Sequence, residues 1–286
     1  PVTGDVVFCH QLSDPQGLHP YTTSDNSAKT LYTLVFDAML EQDPNTTVFV
    51  PNLVDSLPRI SDDHLRYTWH LRNGVTFSDG HPLRASDVVF SFKAIKNPLI
   101  LDASALRVYF DDVIDVVAKD SLTVEVVMRK PYFMADIQLG DLRILPKHTM
   151  DPKSLTDRYS IAETNDTTMV AKNSAMQEFA DWFGSSEMKR DPKLLIGSGP
   201  YVFDSWSTGE QIVLRKNPRA WNSPCAWRKG LVDAIVGVII NDRTAAMSAM
   251  KTEDIDFFES VPPPMFDEQL DSNKIPYVAK APYEQS

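Results

Sequence analysis

The spacing of hydrophobic and polar residues changes several times along the chain. From residue 65 to residue 72, apolar side chains alternate with polar ones, which predicts a β-strand with one buried and one solvated face. Residues 113–117 and 122–128 are apolar runs on either side of a turn-forming segment, and they predict a hairpin. Residues 147–196 contain few strand signals, so we expect a mainly helical segment there.

The first predicted helix begins at Ser27, where the apolar spacing becomes that of a helix face. Its apolar positions are Leu31, Leu34, Val35, Ala38 and Met39. Ser24, Asp25 and Asn26 precede it, and such side chains accept hydrogen bonds from the free N–H groups of a helix start. The polar residues 42–45 predict the end of the helix.

Strands and helices alternate in the last third of the chain. Strands are predicted at 201–206, 211–215, 232–240, 255–258 and 275–279, and helices at 244–251 and 265–270. This alternation is typical of a mostly parallel sheet covered by helices, and a length of 286 residues favours two domains over one. The pattern therefore predicts a mixed α/β protein.

Charge and composition exclude several kinds of partner. The chain has 28 lysine and arginine residues against 39 aspartate and glutamate residues, a formal net charge of −11. Because no run of basic residues is longer than two, we expect no nucleic acid or anionic membrane surface as a partner. No apolar run is long enough for a membrane span, and the chain opens at Pro1 without a leader pattern. Removal of a secretory signal would account for this start, and so would trimming of the chain.

The sequence offers no catalytic signature. Gly197-Ser198-Gly199 lacks the third glycine of a dinucleotide fingerprint and is followed by Pro200, so it predicts a rigid turn before a strand. The acidic pairs at 62–63 and 111–112, and the pair Asp254 and Asp256, lie in predicted turns or at a strand edge. We therefore expect no catalytic residue and no cofactor.

The six histidines do not indicate a metal site. His64 and His70 share one predicted strand, which separates them by about 20 Å. His10 and His19 lie across a turn from each other, but no carboxylate pair stands at ligand spacing with them. Solvated or hydrogen-bonded histidines are the expectation, with no bound metal.

A series of motifs resembles the extracellular solute-binding proteins of family 5, the oligopeptide and dipeptide receptors of ABC importers. The motifs are LHP at 18–20, VFDAML at 35–40, VPNLVDS at 50–56, YTWHLRNGVTFSDG at 67–80, LRASDVVFSF at 83–92, ILPKH at 144–148, GSGPY at 197–201 and NPRAW at 217–221. They follow the order of the family across nearly the whole chain. Each alone is weak evidence, but together and in order they are strong.

The resemblance implies a periplasmic-binding-protein-like lobe I with an inserted, smaller α+β domain II. Residues 1–40 and 194–286 would form an incomplete lobe I, and residues 41–193 would form domain II. The second lobe, domain III, is expected to be absent from these 286 residues, because family chains are about twice as long.

The resemblance also implies a function. The protein would capture oligopeptides or dipeptides between two lobes and deliver them to the membrane permease of an ABC importer. It would be a monomeric, non-enzymatic protein, periplasmic or extracellular, with a lipid anchor as an open alternative. Another solute (a nickel chelate, an oligosaccharide or a haem) and a peptide-handling enzyme or chaperone are the alternatives, since a fold does not fix a function.

Two loops match the ligand-facing loops of lobe I in the family. They are Ser24, Asp25 and Asn26 before the first helix, and Glu259, Ser260 and Val261 after a predicted strand. We expect both at the C-terminal edge of the lobe I sheet, where open α/β sheets bind ligands. The alternatives are a simple helix cap for the first loop and an ordinary connection for the second.

The two cysteines carry a further implication of the resemblance. Cys9 matches a cysteine of the dipeptide-binding branch, but the position of its usual partner falls near Asp254. A disulfide between Cys9 and Cys225 is left open.

Overall fold

The computed structural model describes residues 5–258, 261–263 and 265. Within these residues the strands are β1 (Val6–Gln11), β2 (Leu40–Gln42), β3 (Phe49–Pro51), β4 (Arg59–Ile60), β5 (Arg66–His70), β6 (Val113–Ala118), β7 (Thr123–Met128), β8 (Tyr201–Ser207), β9 (Gln211–Lys216) and β10 (Ala234–Ile239). The α-helices are α1 (Asn26–Val35), α2 (Ala85–Lys96), α3 (Ser104–Arg107), α4 (Ala135–Gly140), α5 (Lys147–Met150), α6 (Ile161–Asn165), α7 (Thr167–Ala171), α8 (Ser174–Phe183), α9 (Ser186–Arg190) and α10 (Arg243–Lys251). Short 3-10 helices lie at Leu101–Ala103, Val108–Phe110, Leu155–Arg158 and Ala226–Arg228.

The first sheet has the strand order β1-β10-β9-β8. β1 and β10 are parallel, whereas β10 with β9 and β9 with β8 are antiparallel. The expectation of a mostly parallel sheet is therefore wrong for the described residues. For β8 and β9 the cause is local, because Gly209 adopts a φ of +76° in the tight turn between them, and strands joined by such a turn are antiparallel. β9 and β10 are joined by the longer segment 217–233, and their direction follows from how the strands pair in the sheet.

The predicted strand at 255–258 is reduced to one bridge, in which Phe257 pairs in parallel with Cys9 of β1. The helix predicted at 244–251 is confirmed as α10. The predicted strand at 275–279 lies outside the described residues, as does the helix predicted at 265–270 apart from its first residue.

The second sheet is antiparallel throughout, in the order β4-β5-β7-β6. In β5, Tyr67 and Trp69 are buried while Arg66 and His70 are exposed, which confirms the strand predicted from the alternating pattern. The hairpin of β6 and β7 is also confirmed. α2 packs against both strands of this hairpin.

The segment predicted to be helical contains five short helices, α5 to α9. Its longest, α8, buries Met176, Phe179, Ala180 and Phe183, which lie on one face of the helix. The prediction of a helical segment is confirmed. The position of β1 and β5 in different sheets supports the predicted division into lobe I and domain II, whose boundaries stay a prediction.

Helix α1 ends earlier than the sequence predicted. It stops at Val35, Phe36 is extended, and Leu40–Gln42 forms β2 against Phe49–Pro51. The reason is tertiary, because the Gly199 N–H donates to the Val35 carbonyl over 2.8 Å and occupies the helix end. A Cβ on Gly197 would lie 1.9 Å from the same carbonyl oxygen, so only glycine permits this approach.

Candidate functional site

An open cavity of about 550 Å³ lies where β1 ends and α1 begins. Its lining comes from β1 and the residue after it, from α1, from the start of α10 and from the chain after α10. The lining residues are His10, Gln11, Leu12, Asn26, Ser27, Lys29, Thr30, Thr33, Arg243 and Phe258. This edge of the first sheet therefore presents a concave surface whose lining residues are mainly polar.

The first predicted loop is fixed by Asp25, which caps α1. Its Oδ1 accepts from the Ala28 N–H at 2.6 Å, and its Oδ2 accepts from the Gln16 N–H at 3.1 Å and the Thr23 hydroxyl at 3.0 Å. Both carboxylate oxygens are thus engaged in holding the helix start. Asn26, the first residue of α1, is exposed and lines the cavity, while Ser24 is exposed beside it.

The second predicted loop is only partly described. Glu259 and Ser260 lie outside the described residues, and Val261 is half-buried against a small apolar cluster that includes Met247 and Ile255. Phe258, directly before this loop, lines the same cavity as Asn26. This common cavity supports the expected convergence of the two loops, which stays a prediction.

The strand edge and Phe258 are joined by specific contacts. The His10 N–H donates to the Phe257 carbonyl at 2.8 Å, and the rings of His10 and Phe258 meet edge-on with centroids 4.4 Å apart. The His10 Nε2 lies 2.9 Å from the Ile240 carbonyl oxygen. These contacts place the end of β1 beside the residues that follow α10.

Sequence reasoning missed several lining residues, above all Gln11, Lys29 and Arg243. Lys29 and Thr33 follow Asn26 at intervals of three and four residues, which places them on the same face of α1. That spacing could have predicted them as neighbours of Asn26. Arg243 opens α10 directly after its capping residue, Asp242. Nothing in the local pattern connects β1 with α10, which only the sheet brings together.

The cavity combines two cationic side chains with amide and hydroxyl groups. Asn26, Lys29, Thr30 and Arg243 are exposed, so their donors and acceptors are available to a ligand. Cations and amides of this kind suit carboxylate and peptide groups. Among the lining residues in the described part of the chain, no serine, histidine and carboxylate are hydrogen-bonded together as acyl transfer requires.

Beyond the other end of α1 lies a buried ion pair between Asp37 and Arg228. The Asp37 Oδ1 accepts from the Arg228 Nη2 at 2.5 Å and from its Nε at 3.0 Å. The Asp37 Oδ2 accepts from the Ser198 hydroxyl and from the Trp221 Nε1, both at 3.0 Å. Burial alone would raise the pKa of Asp37, but Arg228 and these hydrogen bonds hold it below its ordinary value.

A second buried pair joins Glu41 to Arg143, whose Nη1 donates to the Glu41 carboxylate. Burial would lower the pKa of Arg143, yet Glu41 and Asp141 raise it, so the guanidinium stays charged. Together with Asp37 and Arg228, these residues form what we call the crossover cluster, because they fix the segment that leads from α1 to β2. The cluster accounts for Asp37, the one polar residue of the motif at 35–40, and for Ser198 and Trp221 in two other motifs.

The remaining candidates have structural surroundings. His19 is buried with its ring 4.5 Å from that of Phe183, and burial lowers its pKa to about 3. Gly197-Ser198-Gly199 packs against the end of α1 as the predicted rigid turn. Cys9 and Cys225 do not form a disulfide with each other.

The family follows from comparison with known proteins. The model of the bacterial extracellular solute-binding proteins, family 5, middle region, matches residues 48–286, so the chain belongs to this family. The predicted family and the mixed α/β fold are thereby confirmed. Members of this family are solute-binding proteins that act outside the cytoplasm.

Curated relatives agree with this assignment. The chain is 31% identical over 236 residues to the di/tripeptide-binding protein 4 of Pseudomonas aeruginosa, covering 75% of this chain and 38% of that protein. It is 27% identical over 249 residues to protein XP55 of Streptomyces lividans, covering 85% and 37%. It is 24% identical over 258 residues to the oligopeptide-binding protein AppA of Bacillus subtilis, covering 89% and 40%. The chain spans about two fifths of the length of these relatives.

Solved structures share the fold. AppA of Bacillus subtilis in complex with a nonapeptide matches with a TM-score of 0.70 at 22% identity, covering 93% of this chain and 46% of that one. The murein tripeptide binding protein MppA of Escherichia coli matches with a TM-score of 0.72 at 19% identity, covering 97% and 50%. Within the described residues, no helix is both long enough and apolar enough to cross a membrane.

Proposed function

We propose that the chain forms one wall of the ligand cleft of a solute-binding protein that captures oligopeptides or dipeptides for an ABC importer. The observation that carries the proposal is the open polar cavity at the end of β1, in a chain of this family. The names of the relatives support peptides as the ligand class. The remaining partner in this proposal is the membrane permease that receives the peptide.

The lining groups suit an extended peptide. The amide side chains of Gln11 and Asn26 offer both a donor and an acceptor to a peptide main chain. Lys29 and Arg243 complement a carboxylate, either the peptide C-terminus or an acidic side chain. Ser24, Glu259, Ser260 and Val261 belong to the proposed site as the loops beside this lining, and Asp25 acts by positioning Asn26.

The proposal includes an architecture and a setting. Residues 1–40 pack with 194–286 as lobe I, residues 41–193 form domain II, and closure of a second lobe over the cavity completes capture. The protein acts as a monomer, outside the cytoplasm, and binds its peptide without cleaving it. Because the chain spans about two fifths of its relatives, one wall alone should bind weakly.

A peptide titration tests the proposal. A fluorescently labelled pentapeptide is titrated with the 286-residue chain, and weak but saturable binding is expected. The double variant Lys29→Gln/Arg243→Gln should lower the affinity by about 10-fold or more, because it removes both cations. Lys172→Gln/Arg59→Gln is the matched control, since both residues are exposed and neither lines the cavity.

Two outcomes would overturn the proposal. One is equal affinity in the lining variant and the control variant. The other is cleavage of the peptide, detected by mass spectrometry of the same samples, which would favour a peptide-handling enzyme.

A further inference from the structure

Two histidines and an aspartate meet outside the lining of the cavity. One ligand atom from each of Asp79, His81 and His148 lies within 4.8 Å of the other two. The Asp79 Oδ2 is 3.0 Å from the His81 Nδ1 and 2.6 Å from the His148 Nε2. Two imidazole nitrogens therefore face a single carboxylate oxygen.

The turn that carries Asp79 and His81 is fixed by its own backbone. The Phe77 N–H donates to the His81 carbonyl at 2.8 Å, and the Gly80 N–H donates to the Phe77 carbonyl at 2.9 Å. Gly80 has a φ of +97°, a conformation that favours glycine. The two side chains are thus held on one side of a closed turn.

The Asp79 carboxylate is oriented through Oδ1, the oxygen that does not face the imidazoles. Its Oδ1 accepts from the His81 N–H at 3.0 Å, which leaves Oδ2 directed toward the two imidazoles. Such outer hydrogen bonds are what hold a ligating carboxylate in place.

His148 comes from a different element. It lies in α5, whose start is anchored where the Lys147 N–H donates to the Asp87 Oδ1 at 3.0 Å. Its ring stacks on that of His81 with centroids 3.9 Å apart and lies against Phe77 at 5.7 Å. The two rings are therefore held side by side by packing as well as by Asp79.

We propose that Asp79, His81 and His148 form a surface site for a transition-metal dication, with Zn²⁺ as the ion that fits best. The two imidazole ligands favour Zn²⁺ and related ions over Mg²⁺ and Ca²⁺, whose preferred ligands are oxygens, and a carboxylate is a ligand that Zn²⁺ also accepts. Three protein ligands and a water make up the usual four-coordinate shell of an open zinc site.

The distances are compatible with such a shell. Bonds of about 2.0–2.1 Å in a tetrahedron place ligand atoms about 3.3 Å apart. The His81 Nδ1 is 3.0 Å and the His148 Nε2 is 2.6 Å from the Asp79 Oδ2, so the first must move outward by about 0.3 Å and the second by about 0.7 Å. The His81 side chain is 60% exposed, which allows this movement and gives the ion access.

Calorimetric titration of the 286-residue chain with zinc chloride, in a buffer that does not bind metal, tests the site. One zinc ion per chain is expected. His81→Gln and His148→Gln should each weaken binding by about 10-fold or more, because each removes one of three protein ligands. His70→Gln is the matched control, since His70 also hydrogen-bonds an aspartate, Asp55, but no third ligand group joins them in the described part of the chain.

The result that would overturn the proposal is zinc binding of equal strength in the His81→Gln protein, or no binding to the unmodified chain. Circular dichroism of His81→Gln checks folding, and its high exposure makes the change tolerable. X-ray absorption at the zinc edge should show two imidazole nitrogens in the first coordination shell. Repeating the peptide titration with a chelator present keeps this result separate from the peptide-binding proposal.

Discussion

The crossover cluster and the cavity lie off opposite ends of α1, and both are rich in polar residues. In the crossover cluster the Asp37 oxygens are fully occupied by Arg228, Ser198 and Trp221. In the cavity, Asn26, Lys29 and Arg243 are exposed. Clusters of polar residues therefore indicate a binding site only where their hydrogen-bonding groups are left for a ligand.

The strongest test of this contrast is removal of the Asp37 carboxylate. Asp37→Ala leaves the Arg228 guanidinium buried without its counter-ion, so we expect a loss of about 3–5 kcal/mol in the free energy of unfolding. Urea denaturation measures it. The control Asp204→Ala breaks the exposed pair with Arg215 and should cost about 1 kcal/mol or less. Equal losses in the two variants would contradict the structural role of the crossover cluster.

His19 provides a pH-dependent test of burial. Its pKa is lowered from 6.5 to about 3 by burial and by Lys189, so the unfolded chain takes up a proton before the folded chain does. The contribution of neutral His19 to the free energy of unfolding is therefore fully present above pH 6.5 and is lost as the pH falls toward 3. By about pH 5 the free energy of unfolding should have fallen by about 2 kcal/mol. His19→Asn, which cannot be protonated, should flatten this dependence.

The matched control for that experiment is the exposed His64, because its replacement removes a histidine and leaves the buried His19 in place. Unfolding curves of His64→Asn should keep the pH dependence of the unmodified chain. If His19→Asn keeps it as well, burial of His19 is not its source.

Asp25 and Asn26 separate helix capping from ligand binding at adjacent positions. Asp25→Ala removes the cap of α1 and should cost about 1–2 kcal/mol of stability, measured by urea denaturation. Asn26→Ala should change stability by about 0.5 kcal/mol or less but should weaken peptide binding. If Asp25→Ala instead weakened peptide binding while Asn26→Ala did not, Asp25 and not Asn26 would be the residue that contacts the ligand.

Local sequence patterns were enough to predict some helices and strands of this fold. The alternation at 65–72 and the apolar face of α8 are properties of short segments, and both predictions are confirmed. The end of α1 was missed because Gly199, far along the chain, occupies it. The mixed direction of the first sheet was missed because apolar runs do not reveal which strands pair.

The candidate sites show the same limit. The loops at 24–26 and 259–261 came from the family resemblance, and the structure describes only the first completely. Arg243 joins the cavity through the pairing of β1 with β10, which no local pattern encodes. His148 was not considered with Asp79 and His81 because only the packing of α5 brings them together.

In the proposed function the cavity, and not the crossover cluster, receives the peptide. Amide chemical-shift mapping of the 286-residue chain during titration with an unlabelled pentapeptide tests it directly. We expect shifts that cluster at Gln11, Asn26, Lys29 and Arg243, with the amides of Asp37 and Arg228 unmoved. Shifts centred on the crossover cluster, or no shifts at the cavity at a peptide concentration that saturates the fluorescence titration, would contradict it.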